Sequence, residues 1–130
     1  MKFLNELKFG ADGLIPCVIQ DYKDGTVLMV AYMSKEAVRK TLKTKKGTFW
    51  SRSRNKFWVK GEESGNVQKV KQMYFDCDGD CLLMKVEQVG GAACHTGFRS
   101  CFYRSVSPQG KIKTIGKRIF NPKKVYKRKT

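Results

Sequence analysis

Leu14-Ile-Pro-Cys-Val-Ile19 and Thr26-Val-Leu-Met-Val-Ala-Tyr-Met33, joined across Asp24-Gly25, are the stretch on which the fold turns. Two short apolar runs around an Asp-Gly pair, which supplies the φ > 0 positions of a tight turn, predict a β-hairpin. Ser34 follows as a helix cap with Glu36 in the first turn. Ala37, Val38, Thr41 and Leu42 share one face, and Gly47 offers a stop, so a helix is expected to about Lys46. Beyond it the pattern alternates strand and turn: Thr48 to Ser53, Phe57 to Lys60, a turn at Glu63-Ser-Gly-Asn66, then Val67 to Phe75, Leu82 to Val89 and Phe98 to Val106. The expected class is α+β, mainly antiparallel β and barrel- or sandwich-like, with one or two short helices.

The rest of the composition bounds this reading. A chain of 130 residues and 14.9 kDa has room for one core. With 41% hydrophobic and 29% charged residues it is neither disordered nor fibrous. No apolar run approaches the ~20 residues of a membrane helix, and the opening Met1-Lys-Phe-Leu-Asn-Glu has no apolar signal segment, so a soluble cytoplasmic chain is expected. The net charge of +16 suggests a phosphorylated or polyanionic partner. Nine of the 27 basic residues, and no acidic one, fall in residues 108–130, which leaves +7 for the remainder. A single folded domain over 1–107 and a basic tail over 108–130 are therefore expected.

Four of the five cysteines, Cys77, Cys81, Cys94 and Cys101, lie within 25 residues, which reads as a metal site. Cys17, in an apolar stretch, reads as a buried thiol. In Asp76-Cys-Asp-Gly-Asp-Cys81 three carboxylates alternate with thiols, and in an extended chain Asp76, Asp78 and Asp80 would share one face. Carboxylates suit Mg²⁺ or Ca²⁺ and thiolates Zn²⁺, so one segment can serve two metals. It imitates an EF-hand loop but fails there, since Cys81 stands at the glycine position and Leu82-Leu-Met-Lys-Val86 reads as a strand. Cys94-His95 and Cys101 complete the picture. Cys77, Cys94 and Cys101 could hold a catalytic zinc, or Cys81 could close a four-cysteine structural site.

A third feature is Trp50-Ser-Arg-Ser-Arg54 with Phe57-Trp-Val-Lys60. On a strand Trp50, Arg52 and Arg54 point one way, an aromatic plane beside two phosphate-gripping guanidiniums. That face suits a nucleotide, single-stranded RNA, or simply an exposed strand with Trp50 in the core.

Taken in series, Trp50-Ser-Arg-Ser-Arg54, Trp58-Val-Lys-Gly61, Ser64-Gly-Asn66, Asp76-Cys-Asp-Gly-Asp80, Cys94-His-Thr-Gly97 and Ser100-Cys-Phe-Tyr-Arg104 resemble the phosphoribosyl-AMP cyclohydrolase family of histidine biosynthesis, from about Leu14 to Arg104. The resemblance implies hydrolysis of the N1–C6 bond of the adenine ring in 1-(5-phosphoribosyl)-AMP by a homodimer with metal sites shared across its interface. It implies zinc on Cys77, Cys94 and Cys101, Mg²⁺ on Asp76, Asp78 and Asp80, and a substrate site lined by Trp50, Arg52, Arg54, Lys60 and Ser64. Chemistry agrees: zinc lowers the pKa of its water toward ~7 for attack on a ring carbon. His95, the only histidine, is the best proton carrier near neutrality, unless it merely bonds within a turn. Arg99 is a further candidate for a substrate phosphate. Base deaminases also attack C6 of adenine, but their H-x-E and P-C-x-x-C motifs are missing here. Cys81 and the Glu62-Glu63 pair depart from the family pattern. The rivals are a zinc-stabilised RNA-binding module, against which the carboxylates argue, and a purely structural zinc protein.

Overall fold

The structure, a computed structural model, describes residues 2–125. At its centre stands the hairpin around Asp24-Gly25. β1 (Leu14–Asp21) and β2 (Val27–Ser34) pair antiparallel from Leu14↔Ser34 to Gln20↔Val27, with a slip at Ile19/Gln20. The Asp21 carboxylate accepts from the N–H groups of Lys23 and Asp24, both at 3.0 Å, and sets the turn. Ser34 caps α2 (Lys35–Thr44), accepting from the Ala37 N–H at 3.1 Å. The helix stops at Lys45, which takes φ 62°, two residues before the glycine expected to end it. Gly47 answers a need for space instead, since a Cβ there would stand 2.7 Å from Gln68 Oε1.

The chain then forms a ribbon, β3 (Thr48–Ser51) on β4 (Lys56–Val59), before β5 (Gln68–Phe75) and β6 (Leu82–Gln88) return to the main sheet. Its order is β2-β1-β6-β5, antiparallel except that β1 and β6 run parallel, with Cys17 opposite Leu82. The expectation of a barrel-like closure is corrected. β2 and β5 do not pair with each other, β3–β4 forms a ladder only within itself, and β5 meets the chain before β3 through a single bridge, Lys46↔Lys69. Closure is forestalled because α2 and Phe49 fill the space over one face: Ile15, Cys17, Ile19, Met33, Ala37, Val38, Phe49, Leu82, Met84 and Val86 form one buried cluster. The α+β class stands. Besides α2, helix among the described residues occurs as two four-residue pieces, α1 (Lys2–Asn5) and α3 (Pro122–Val125).

The stretch expected as one strand from Phe98 is mostly loop. Only Arg104–Val106 is extended (β7), paired with β8 (Ile112–Thr114) in a second ribbon. The domain boundary expected after residue 107 falls between these two strands. Past them, the Ile115 N–H reaches Tyr103 O at 2.7 Å and the Ile119 N–H reaches Gly97 O at 2.6 Å, so this basic segment is bonded back onto residues 97–103. Residues 126–130 of the expected tail lie outside the described residues. Among the described residues no helix is long and apolar enough to cross a membrane.

Candidate active site

As an edge strand, β2 offers unpaired backbone groups along its outer side. Its first part is covered by residues 99–101, with the Cys101 N–H on Leu28 O at 2.7 Å and the Ser100 hydroxyl on Val27 O at 2.7 Å. Beyond that strap, from Met29 to Tyr32, β2 forms a wall of a cleft of about 740 Å³; the β3–β4 ribbon and its turn form another. Cross-strand aromatic pairs stiffen the ribbon, Phe49 on Trp58 and Trp50 edge-on to Phe57, each at 5.1 Å between centroids.

Of the residues singled out in the sequence, Trp50, Arg52, Arg54, Lys60, Ser64, His95 and Cys101 all line this cleft. They arrive there by a different route from the one expected. The strand ends at Ser51, so Arg52 and Arg54 sit in a turn in which Ser51 Oγ accepts from the Arg54 N–H at 3.2 Å and Asn55 takes φ 54°. Arg52 lies over the Tyr32 ring, 3.9 Å from its centroid. Arg54 is exposed. Sequence reasoning missed Tyr32, whose signal was its place among the outward alternates of β2, with Val30.

Cys94, next to the lining residues Ala93 and His95, is itself buried, with its Sγ 2.8 Å from Thr96 Oγ1. Cys101 is exposed as a residue, yet its thiol is drawn inward. Burial first, then the neighbouring Cys94 thiol, push it up to about 12, opposed by the Lys60 cation. Lys60 itself is only 7% exposed. Burial lowers its pKa, and the two nearby thiols pull the other way. Two sulfur donors, a cation and an exposed imidazole thus converge at one end of the cleft.

The structure leaves two groups elsewhere. Asp76 to Cys81 forms a tight turn, not an extended run: Asp76 Oδ1 accepts from the Asp80 N–H at 3.1 Å and the Cys81 N–H at 3.3 Å. The shared-face expectation for Asp76, Asp78 and Asp80 is corrected, because these local bonds fold the segment back. Its carboxylates remain crowded; Asp76 foremost raises the pKa of Asp80. Cys77 is exposed on this turn and Cys81 is half-buried. The turn leaves the sheet from the Leu14/Ser34 end on the β5–β6 side, whereas Cys101 sits by Leu28 on the β2 edge. Three strand spacings, roughly 14 Å, separate β2 from β5. Accordingly, among the described residues no three of His, Cys, Asp and Glu come together as a metal site. Arg99 is the second: its guanidinium is bound to the β1–β2 turn, on Asp24 Oδ2 and Thr26 Oγ1, both at 2.9 Å.

Comparison with known proteins decides the family. The sequence profile of phosphoribosyl-AMP cyclohydrolase matches residues 29–103, which carry most of β2, the β3–β4 ribbon, the acidic turn, Cys94 and Cys101. This chain belongs to that family. A phosphoribosyl-AMP cyclohydrolase of Chlorobium phaeovibrioides is 51% identical over 127 residues, 98% of this chain and 92% of its own length. Those of Desulfatibacillum aliphaticivorans and Pelotomaculum thermopropionicum are 55% identical over 116 residues and 52% over 123, covering 89% and 95% of this chain and 92% and 95% of theirs. A cyclohydrolase-type hydrolase therefore replaces the RNA-binding alternative, which finds no support.

Proposed function

We propose that this chain hydrolyses the N1–C6 bond of the adenine ring in 1-(5-phosphoribosyl)-AMP, giving the ring-opened formimino carboxamide ribotide of histidine biosynthesis, as a zinc-dependent homodimer. The observation that carries the reading is the joining, in one cleft, of the Trp50/Arg52/Arg54 ribbon with His95 and Cys101, whose thiol meets that of the buried Cys94 behind it.

The donor chemistry fits zinc, since two thiols in mutual contact are half of a tetrahedral set. Cys94 and Cys101 would hold it with Cys77. Cys77 of the same chain stands across the sheet, so the third sulfur comes from a second copy. One such donation also delivers Asp76, Asp78 and Asp80, which would hold Mg²⁺ against a substrate phosphate. Charge favours the meeting: the acidic turn carries three carboxylates, and the ribbon after Cys101 carries Arg104, Lys111 and Lys113, all exposed. A half-open apolar row across the sheet, Val30, Val18, Leu83 and Tyr74 in register, also gains from cover by a second copy.

Zinc, when bound, supplies Lewis acidity and lowers the pKa of the water delivered to the ring. The side chains do the rest. Trp50 and Tyr32 offer aromatic surface to the base. Arg52 and Arg54 grip phosphate oxygens, with Lys60 and Ser64 deeper in the cleft. Water oxygen bonds to C6 and the C6–N1 bond breaks; His95 takes the proton released by the water and returns it to N1 as that nitrogen leaves. The test is the ultraviolet spectrum of phosphoribosyl-AMP with purified protein, before and after chelation and zinc restoration. A chelator-sensitive ring-opening change that zinc restores is expected. An unchanged spectrum with folded, zinc-loaded protein would overturn the assignment.

A further inference from the structure

Neither Arg99 nor its partners in the β1–β2 turn line the cleft. One nitrogen donates to Thr26 Oγ1 and another to Asp24 Oδ2, both at 2.9 Å, with Asp21 Oδ1 at 3.7 Å. Asp24 is itself held in place, its other oxygen accepting from the Thr26 N–H at 3.0 Å. The next two residues complete a strap along the β2 edge: the Ser100 hydroxyl donates to Val27 O, and the Cys101 N–H donates to Leu28 O, both at 2.7 Å. The Phe102 N–H then closes onto Ser100 Oγ at 2.9 Å. Three consecutive residues are thus fastened to one hairpin, and the last of them carries the thiol that meets Cys94. Arg99 is the only side chain of the three that reaches past β2 into the β1–β2 turn.

We propose that Arg99 is a positioning residue for Cys101, locking the thiol-bearing strap to the Asp21–Thr26 turn, and is not a ligand of a substrate phosphate. The inference rests on the reading of Cys94 and Cys101 as metal ligands. A side chain that orients a ligand without touching the metal still governs affinity, by limiting the positions the donor atom samples. Because Arg99 and Asp24 are both partly exposed, the tie is modest, and its loss is worth about fivefold.

The experiment compares Arg99→Ala, Asp24→Asn and the double variant in the full chain. Asp24→Asn keeps the oxygen that accepts from Thr26 and replaces the one that accepts from Arg99 with an amide nitrogen, removing both the charge and the acceptor that Arg99 uses. Zinc affinity is measured against a chromophoric chelator, amide hydrogen exchange of residues 99–102 is measured on metal-stripped protein, and KM and kcat are measured on zinc-loaded protein. Each single variant is expected to weaken zinc about fivefold and to quicken exchange at Cys101, the double no more than either single, with KM unchanged. Arg99→Lys, which keeps the charge but loses the forked geometry, falls between. A raised KM in Arg99→Ala, with Asp24→Asn at wild-type values in zinc affinity and exchange, would overturn the proposal in favour of a phosphate ligand. Wild-type protein that takes up no zinc defeats the metal reading itself. Exchange then decides alone: unchanged rates overturn the tie, and quickened rates leave Arg99 as the anchor of Cys101.

Discussion

Cys77, Cys101 and Cys17 share a functional group and differ in what surrounds it. Cys77 is exposed on a turn, the Cys101 thiol is raised to about 12 by burial and by Cys94, and Cys17 is wholly enclosed, its thiol pushed up by burial. Since the thiolate is the reactive form, metal-stripped protein diluted to single chains and treated with iodoacetamide at pH 8 is expected to lose Cys77 first and Cys17 last. Mass spectrometry of the alkylated peptides reads the order; modification of Cys101 ahead of Cys77 would contradict the site geometry. Asp24 gives the opposite sign. Hydrogen bonds from Thr26, with Arg99 assisting, hold its carboxyl at about 2, below the ordinary 3.8. A depressed folded pKa contributes stability above the unfolded value and loses it as pH falls through the folded one. The Arg99 tie is therefore expected intact at pH 5 and released only as pH approaches 2, followed through the Asp24 carboxyl resonance.

At the scale of elements, the placing of the cleft depends on how α2 is joined to the ribbon. Thr41, fully buried, accepts from the Thr48 N–H and donates to Thr48 O, both at 3.0 Å. Thr41→Val keeps the shape and strands both backbone groups away from water, so a loss of about 1–3 kcal/mol in urea unfolding is expected. Ser34→Ala, which removes the α2 cap, should cost about 1 kcal/mol. A Thr41→Val loss no larger than that of Ser34→Ala would show that the ribbon is held by its aromatic pairs instead. These elements were legible to unequal degrees. The β1–β2 hairpin and α2 followed from local signals, a turn dipeptide, a cap and a single apolar face, and both were found. The parallel pairing of β1 with β6 was not legible, because it joins residues some 65 apart and leaves no local mark. β8 was hidden by its charge: Ile112-Lys-Thr114 reads as basic tail until its pairing with β7 is seen. In the site, motif order named residues that the fold does bring to one cleft, Trp50, Arg52, Arg54, Lys60, Ser64, His95 and Cys101, whereas spacing cannot tell an arginine facing a cleft from one bound, like Arg99, to a carboxylate on the next hairpin.

For the whole molecule the question is why a site with two sulfurs should be a site at all. Within one chain, Cys101 lines the cleft with the buried Cys94 against it, and Cys77 is exposed on the turn across the sheet. The proposed two-fold pair would solve this, because an isologous interface that brought the acidic turn of one copy to the strap of the other would complete both sites at once. The arrangement makes a prediction that no single-chain site shares. Cys77→Ala and Cys101→Ala proteins should each be inactive and each bind zinc poorly. Denatured together and refolded as a mixture, they form some dimers in which the Cys77→Ala copy supplies Cys94 and Cys101 while the Cys101→Ala copy supplies Cys77. Half of randomly assorted dimers are mixed and each holds one intact site of two, so activity and zinc binding should return to about a quarter of the wild-type level. Were all three sulfurs to come from one chain, no mixed dimer could hold an intact set and the mixture would stay inactive. The outcome thus separates a site built by assembly from one built by folding alone.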